Sequence, residues 1–202
     1  MLIETIRAVD GHFHLLGQHE SRMRTSCLRL YGTEAPALAL RDEDIPEDLR
    51  HGTVKCRVTY STEIANVEYE PYTPRTPRTL RLVRCEEIDY QLKYADRTPL
   101  NRLHAMRDGA DEVIIVRDGL VTDTTYSNLL FHSAGRLLTP SRPLLPGVMR
   151  RHLLDTGVAH EADITPEMLR PGGPICAVTL INAMLPPGTI PSIPMTDIYP
   201  LP

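Results

Sequence analysis

Asp89-Tyr90-Gln91-Leu92-Lys93-Tyr94-Ala95-Asp96-Arg97 marks the point at which the chain changes character. Ahead of it, residues 2–9 and 14–16 alternate as strands about an Asp10-Gly11 hairpin turn, and 18–31 carry helical periodicity that closes at Gly32. Residues 35–50 are mixed, with a short helix after Pro46, and 54–60, 64–69 and 80–83 alternate as antiparallel strands. Pro71, Pro74 and Pro77 cannot sit in an interior strand, so the segment they punctuate is a loop or an edge. Behind the quoted stretch, 99–106 reads as a helix with proline near its first turn, followed by short apolar strands at 113–116, 120–123, 128–132 and 137–138, with Asp118-Gly119 turning the first into the second. Pro146-Gly147 opens a helix that runs to Leu154 and closes at Gly157. Residues 175–181 form a continuous apolar run suited to a buried strand, and the proline-rich tail after Leu185 reads as extended. The pattern is that of an α+β chain in two parts: a small N-terminal α+β domain over 1–88 and a larger, mostly β domain with helices over 89–202.

Within the decisive stretch the residue that carries chemistry is Lys93. Among 22 basic side chains only Lys55 and Lys93 are lysines. A guanidinium stays protonated in a protein, whereas a desolvated amine can lose its proton and attack a carbonyl. Taken alone, a lysine is most often an amphipathic surface residue; its company decides the reading.

Composition narrows the field. The net charge is −4, with carboxylates interspersed among the arginines, as in Arg41-Asp42-Glu43-Asp44. There is no basic stripe interleaved with aromatics of the kind that reads nucleic acid, and no apolar run of membrane-spanning length. Glu4 falls where a signal peptide needs an apolar core, so a cytoplasmic protein is expected. The 4 cysteines, Cys27, Cys56, Cys85 and Cys176, lack the close spacing of a zinc site or a disulfide framework, and the 8 histidines are scattered; no metal site is expected.

Seven short segments recur in a recognisable order: Glu4-Thr5-Ile6-Arg7 with Gly11; His19-Glu20-Ser21-Arg22; Leu92-Lys93; Ala110-Asp111-Glu112; Gly119-Leu120-Val121-Thr122-Asp123 with Ser127-Asn128-Leu129; Thr139-Pro140; and Leu145-Pro146-Gly147-Val148-Met149-Arg150. None is specific alone; their shared order and spacing resemble the class IV aminotransferases, the pyridoxal-phosphate enzymes of fold type IV. The resemblance runs from Glu4 to about Pro187. Thr179-Leu180-Ile181-Asn182-Ala183-Met184-Leu185-Pro186, the pair Lys93 and Arg97, and Gly147-Val148-Met149-Arg150 are similar in particular to the 4-amino-4-deoxychorismate lyases.

That resemblance implies roles. Lys93 becomes the Schiff-base lysine that holds pyridoxal 5'-phosphate and shuttles the substrate Cα proton. Arg22 becomes the phosphate-binding arginine, whose planar fork suits an oxyanion. Gly147, Val148 and Met149 become a second phosphate anchor through the amides of a helix start. Asp123 stands where the family usually has glutamate, beside the pyridine nitrogen, with the same charge on a shorter stem. Asn182 either touches phosphate or substrate, or caps a turn at a strand end. The implied substrate is a primary amine, processed by elimination of pyruvate or by transamination, in a homodimer. The family pattern also implies a segment ahead of Glu4 and a longer C-terminal part, so the chain reads as a member shortened at both ends. The alternative reading is a shortened, non-catalytic relative that binds the cofactor or a protein partner.

Overall fold

A computed structural model describes residues 1–201. The chain forms two compact units: Met1–Pro74 with Leu92–Asp96, and Arg75–Gln91 with everything from Arg97 on. The division departs from a single boundary at residue 88 in two ways. The strand at 80–84 belongs to the second unit, and the segment around Lys93 returns to the first.

The first unit is one sheet with one helix on it. β1 (Leu2–Val9), β2 (His12–Phe13), β3 (Thr53–Tyr60) and β4 (Ile64–Pro71) form an antiparallel sheet in the order β2-β1-β3-β4. Asp10 and Gly11, both at positive φ (47° and 82°), make the two-residue turn whose twist suits a hairpin. β2 lies earlier than the expected 14–16, because Leu15 turns into the left-handed region (φ 59°) and the helix α1 (Leu16–Tyr31) begins at once. Gly32 closes α1 in the left-handed conformation, its N–H bonding the Leu28 carbonyl. Period-2 burial along β1 and β3 turns Leu2, Ile6, Cys56, Val58 and Tyr60 toward Met23 and Cys27 of α1. Leu92 fills the same core, and Tyr94 packs against it.

The second unit holds two sheets. β5 (Leu80–Arg84), β6 (Glu112–Arg117), β7 (Leu120–Thr124) and, near the chain's end, a short strand at Ile198–Tyr199 make a four-stranded sheet. β5 was expected to be antiparallel to the strands before it. It instead runs parallel to β6, with Leu82 opposite Ile114. Adjacent Leu82 and Val83 are both buried, so the strand is covered on both faces; its direction is set by the partner β6 and not by its own residues. The other sheet is built on β8 (Asn128–Ser133) and β9 (Arg136–Pro140), and a strand at Ala177–Ile181 pairs antiparallel with β8, Val178 opposite Phe131. Short strands at His160–Ala162 and Ile193–Pro194 form its edges. The tail thus contributes two short strands where an extended segment was expected. α2 (Thr98–Ala105) carries proline in its first turn, and α3 (Val148–Asp155) starts from Gly147. Among the described residues no helix is long and apolar enough to cross a membrane.

Candidate active site

The residues singled out by sequence fall into two sets, one in each unit. In the first unit the organising group is Glu4, on the core-facing side of β1 and 0% exposed. A carboxylate taken out of water without partners would be costly. Two side chains of α1, spaced i and i+3 so that they share a face, provide them. His19 donates from Nδ1 to Glu4 Oε2 at 2.6 Å, and Arg22 donates from Nε to Oε1 at 2.9 Å and from Nη2 to Oε2. Burial works to raise the Glu4 pKa, but the charge of Arg22 and the bonds from both donors outweigh it and bring it to about 2.

His19 is also buried, and burial lowers its pKa; Glu4 opposes that shift, and the charges of Arg22 and Lys93 add to it. It is therefore neutral at neutral pH. Its proton sits on Nδ1, because ionised Glu4 can only accept. The support His19 gives Glu4 is then a hydrogen bond rather than a charge. Its Nε2 is buried and makes no hydrogen bond among the described residues.

Lys93 is fixed by its backbone. An isolated antiparallel bridge pairs Leu2 with Tyr94, and the Ile3 N–H bonds the Lys93 carbonyl at 2.9 Å. This bridge is why the segment belongs to the first unit. It brings Lys93 close enough to the Glu4 network for its charge to act on His19, so Lys93 and Arg22 share one neighbourhood. Glu4 and His19 were not among the sequence-assigned site residues, although a signal existed: a charged residue alternating with Leu2, Ile6 and Ala8 on a strand's buried face.

In the second unit Asp123 lies on β7, 4% exposed. Asn128 Nδ2 donates to Oδ1 at 2.8 Å, and the Leu145 N–H donates to Oδ2 at 2.9 Å. Burial dominates here and raises the pKa to about 6, against those hydrogen bonds and the charge of Arg150. Asn128 Nδ2 also donates to the Leu145 carbonyl at 2.9 Å, tying β8 to the approach to α3. The glycine at 147 follows from the same contact: a Cβ there would lie 1.8 Å from Asn128 Oδ1. Val148 and Met149, 3% and 5% exposed, begin α3. Asn182 follows the strand Ala177–Ile181; its Nδ2 donates to Ser127 Oγ at 3.0 Å, and its Oδ1 accepts from the Met184 N–H at 2.8 Å. It caps the turn that follows and touches the residue before Asn128.

The chain is similar to proteins of one family. The sequence pattern of the family described as amino-transferase class IV matches residues 1–184. A solved protein from Haemophilus somnus, provisionally assigned as a 4-amino-4-deoxychorismate lyase, is 33% identical, with a TM-score of 0.80 over 92% of this chain and 96% of that one. A fold IV-transaminase from Curtobacterium pusillum is 19% identical, with a TM-score of 0.77 over 99% and 81%. A hypothetical aminotransferase from Mycobacterium tuberculosis, solved in a PLP-bound form, is 18% identical, with a TM-score of 0.77 over 100% and 82%. With two α+β units, the seven ordered segments and these likenesses together, the chain belongs to the class IV aminotransferase family and has its fold type IV architecture.

Proposed function

We propose that the protein is a pyridoxal-phosphate-dependent enzyme acting on a primary amine. The observation that carries this reading is the neighbourhood of Lys93: the amine-bearing residue is tied by its backbone to β1 beside the Glu4–His19–Arg22 network. The donor set suits the cofactor, with an amine for its aldehyde and a guanidinium for its phosphate. The orphaned His19 Nε2 is a buried polar atom of the sort that a bound ligand satisfies. In the second unit the assigned residues are the amides at Gly147, Val148 and Met149 for phosphate, Asp123 for the ring nitrogen, and Asn182 for phosphate or substrate. When bound, the cofactor supplies an electron sink for charge that develops at the substrate Cα.

The chain's own residues do the rest. Glu4 occupies two donors of Arg22 and so fixes the plane of the guanidinium before any anion arrives. Lys93 takes the proton from the substrate Cα and returns one, as a general base and then a general acid. These roles are common to amino-acid transamination and to a lyase reaction that releases pyruvate from 4-amino-4-deoxychorismate. The 33% identity with the Haemophilus somnus protein favours the lyase. By family resemblance the enzyme is proposed to be a cytoplasmic homodimer.

One observation favours the non-catalytic alternative: both oxygens of Asp123 already accept hydrogen bonds from protein donors. The test is spectroscopic. Purified protein given pyridoxal phosphate should develop a visible absorbance band that shifts on addition of amino acids or aminodeoxychorismate. Lys93→Ala should lose the band. A band that survives this substitution sinks the assignment of Lys93, and a band without turnover of any amine supports the non-catalytic reading.

A further inference from the structure

The turn over residues 124–127 joins the two sheets of the second unit: β7 ends at Thr124 in one, and β8 begins at Asn128 in the other. Asp123 and Asn128 stand at its two ends, and Asn128 Nδ2 donates back across it to Asp123 Oδ1 at 2.8 Å. The turn closes on itself through Thr124, whose N–H donates to the Ser127 carbonyl at 2.9 Å and whose Oγ1 accepts from the Tyr126 and Ser127 N–H groups at 3.2 and 2.9 Å. It is also gripped from outside. Buried Glu112 of β6 accepts from Thr125 Oγ1 at 2.9 Å. Asn182 donates to the Tyr126 carbonyl at 3.3 Å and to Ser127 Oγ at 3.0 Å.

The remaining grip comes from Arg97, at the start of α2. Its Nη2 donates to the Thr125 carbonyl at 2.6 Å, and its Cζ lies 4.4 Å from the centre of the Tyr126 ring. The helix itself does not ask for this side chain. The Asn101 N–H bonds the Arg97 carbonyl, which any residue offers, and no side chain caps the helix start. A guanidinium can donate in its plane while its face covers an aromatic ring, a combination that a lysine amine lacks. The stack matters because Tyr126 is 47% exposed, so burial alone does not fix its ring. Arg75 lies further from the same ring, at 5.5 Å, and the His104 ring meets its edge at 6.2 Å. Among the described residues, Arg97 is the one of these three that also bonds the turn's backbone.

We propose that Arg97 is a positioning residue: by holding the turn at 124–127 it keeps Asn128 in place against Asp123, and so fixes the carboxylate assigned to the cofactor's ring nitrogen. The link to the cofactor rests on the reading of Asp123 given above. The route is geometric. The cation that bears on Asp123 is Arg150, whereas Arg97 makes its contacts with the turn. Arg97 places Thr125 and Tyr126, Ser127 follows them, and Asn128 comes next in the chain. Asn128 in turn bonds the Leu145 carbonyl and lies so close to Gly147 that a Cβ is excluded there. A slackened turn therefore displaces the partner of the acid. It also lets water in beside a carboxyl that burial, the largest influence on it, pushes up to about 6.

The test uses the intact chain without cofactor, isotopically labelled at its aspartate carboxyl carbons and titrated by carbon NMR. The Asp123 signal is assigned by its loss in Asp123→Asn. Arg97→Ala and Tyr126→Ala should each lower the midpoint of the Asp123 titration by about 1 pH unit or more, toward that of an exposed aspartate. Arg97→Lys should recover part of the shift, and Tyr126→Phe, which keeps the ring, should leave the midpoint where it is. Arg102→Ala, at an exposed position of α2, controls for general loosening of the helix and should also leave it. With pyridoxal phosphate added, Arg97→Ala should lower kcat about ten- to a hundredfold with a smaller change in KM, as expected for a misplaced group. A midpoint that stays or rises in whichever of the two alanine variants folds overturns the proposal, as does an equal fall in Arg102→Ala. A lowered midpoint in a protein that develops no visible cofactor band keeps the positioning role and removes the amine-enzyme reading. A normal band with an unmoved midpoint does the opposite.

Discussion

Glu4 and Asp123 are both carboxylates buried on strands, and they come out on opposite sides of the ordinary carboxylate pKa. Glu4 meets a fixed cation in Arg22 and is held at about 2. Asp123 meets only neutral donors at hydrogen-bonding distance, with Arg150 acting from further away, and is pushed up to about 6. Burial raises both; what separates them is whether a full charge sits in contact. The lesson is that hydrogen bonds from amides can satisfy a buried carboxylate without keeping it ionised. The first arrangement makes a rigid anchor, and the second makes a group that titrates near physiological pH.

The contrast can be broken most sharply at its charged end. Glu4→Ala should destabilise the protein by about 3–5 kcal/mol in urea unfolding, because it leaves Arg22 and His19 in a buried site without their acceptor. Asp123→Ala should cost less, about 1–3 kcal/mol, since it strands neutral donors only. Equal losses would mean that the charge of Arg22 adds nothing.

Next comes the Asn128 contact that positions Asp123. Gly147→Ala should cost about 1–3 kcal/mol, because the new Cβ meets Asn128 Oδ1. Combined with Asn128→Ala it should cost clearly less than the sum of the two single changes. Strict additivity in a double-mutant cycle would show that the glycine is there for another reason.

The pH dependence separates the two carboxylates by sign. Glu4 has a depressed pKa, so its contribution, on the order of 3 kcal/mol, is present above pH 4.5 and is lost as pH falls through about 2. Asp123 has a raised pKa, so its contribution is full below pH 3.8 and is lost as pH rises through about 6. Asp123→Asn should therefore flatten stability between pH 4 and pH 7, while the steep loss below pH 4 remains. A profile unchanged by that substitution would mean that Asp123 ionises as an exposed aspartate does. The smallest effect is expected at Asn182, where removal of the turn-capping amide by Asn182→Ala should cost about 1 kcal/mol in the same unfolding measurement.

The two regions were not equally legible in the sequence. Alternation in β1 and β3, the Asp10-Gly11 and Asp118-Gly119 turns and the closure of α1 at Gly32 are local signals, and each fell within a few residues of its place. The direction of β5 was not legible, because a five-residue apolar strand looks the same in a parallel or an antiparallel sheet; only the partner, β6, decides. The hairpin at Ala134-Gly135 escaped notice because alanine is a rare residue at positive φ. In the candidate site, Lys93 and Arg22 were marked by residue type and order. Glu4 was visible as an acid in an apolar alternation, but its function as the anchor for both His19 and Arg22 depends on α1 lying across β1.

The return of Leu92–Asp96 to the first unit also bears on how the protein is made. The first sheet does not complete its core within the first 74 residues; Leu92 and Tyr94 must arrive from beyond an intervening stretch that belongs elsewhere. On the ribosome, that core cannot close until the lysine-bearing segment has left the exit tunnel. A fragment cut at Pro74 should be poorly packed for the same reason. The residue proposed to carry the chemistry is therefore built into the stretch that finishes the fold of its own unit, and no truncation can remove one while sparing the other.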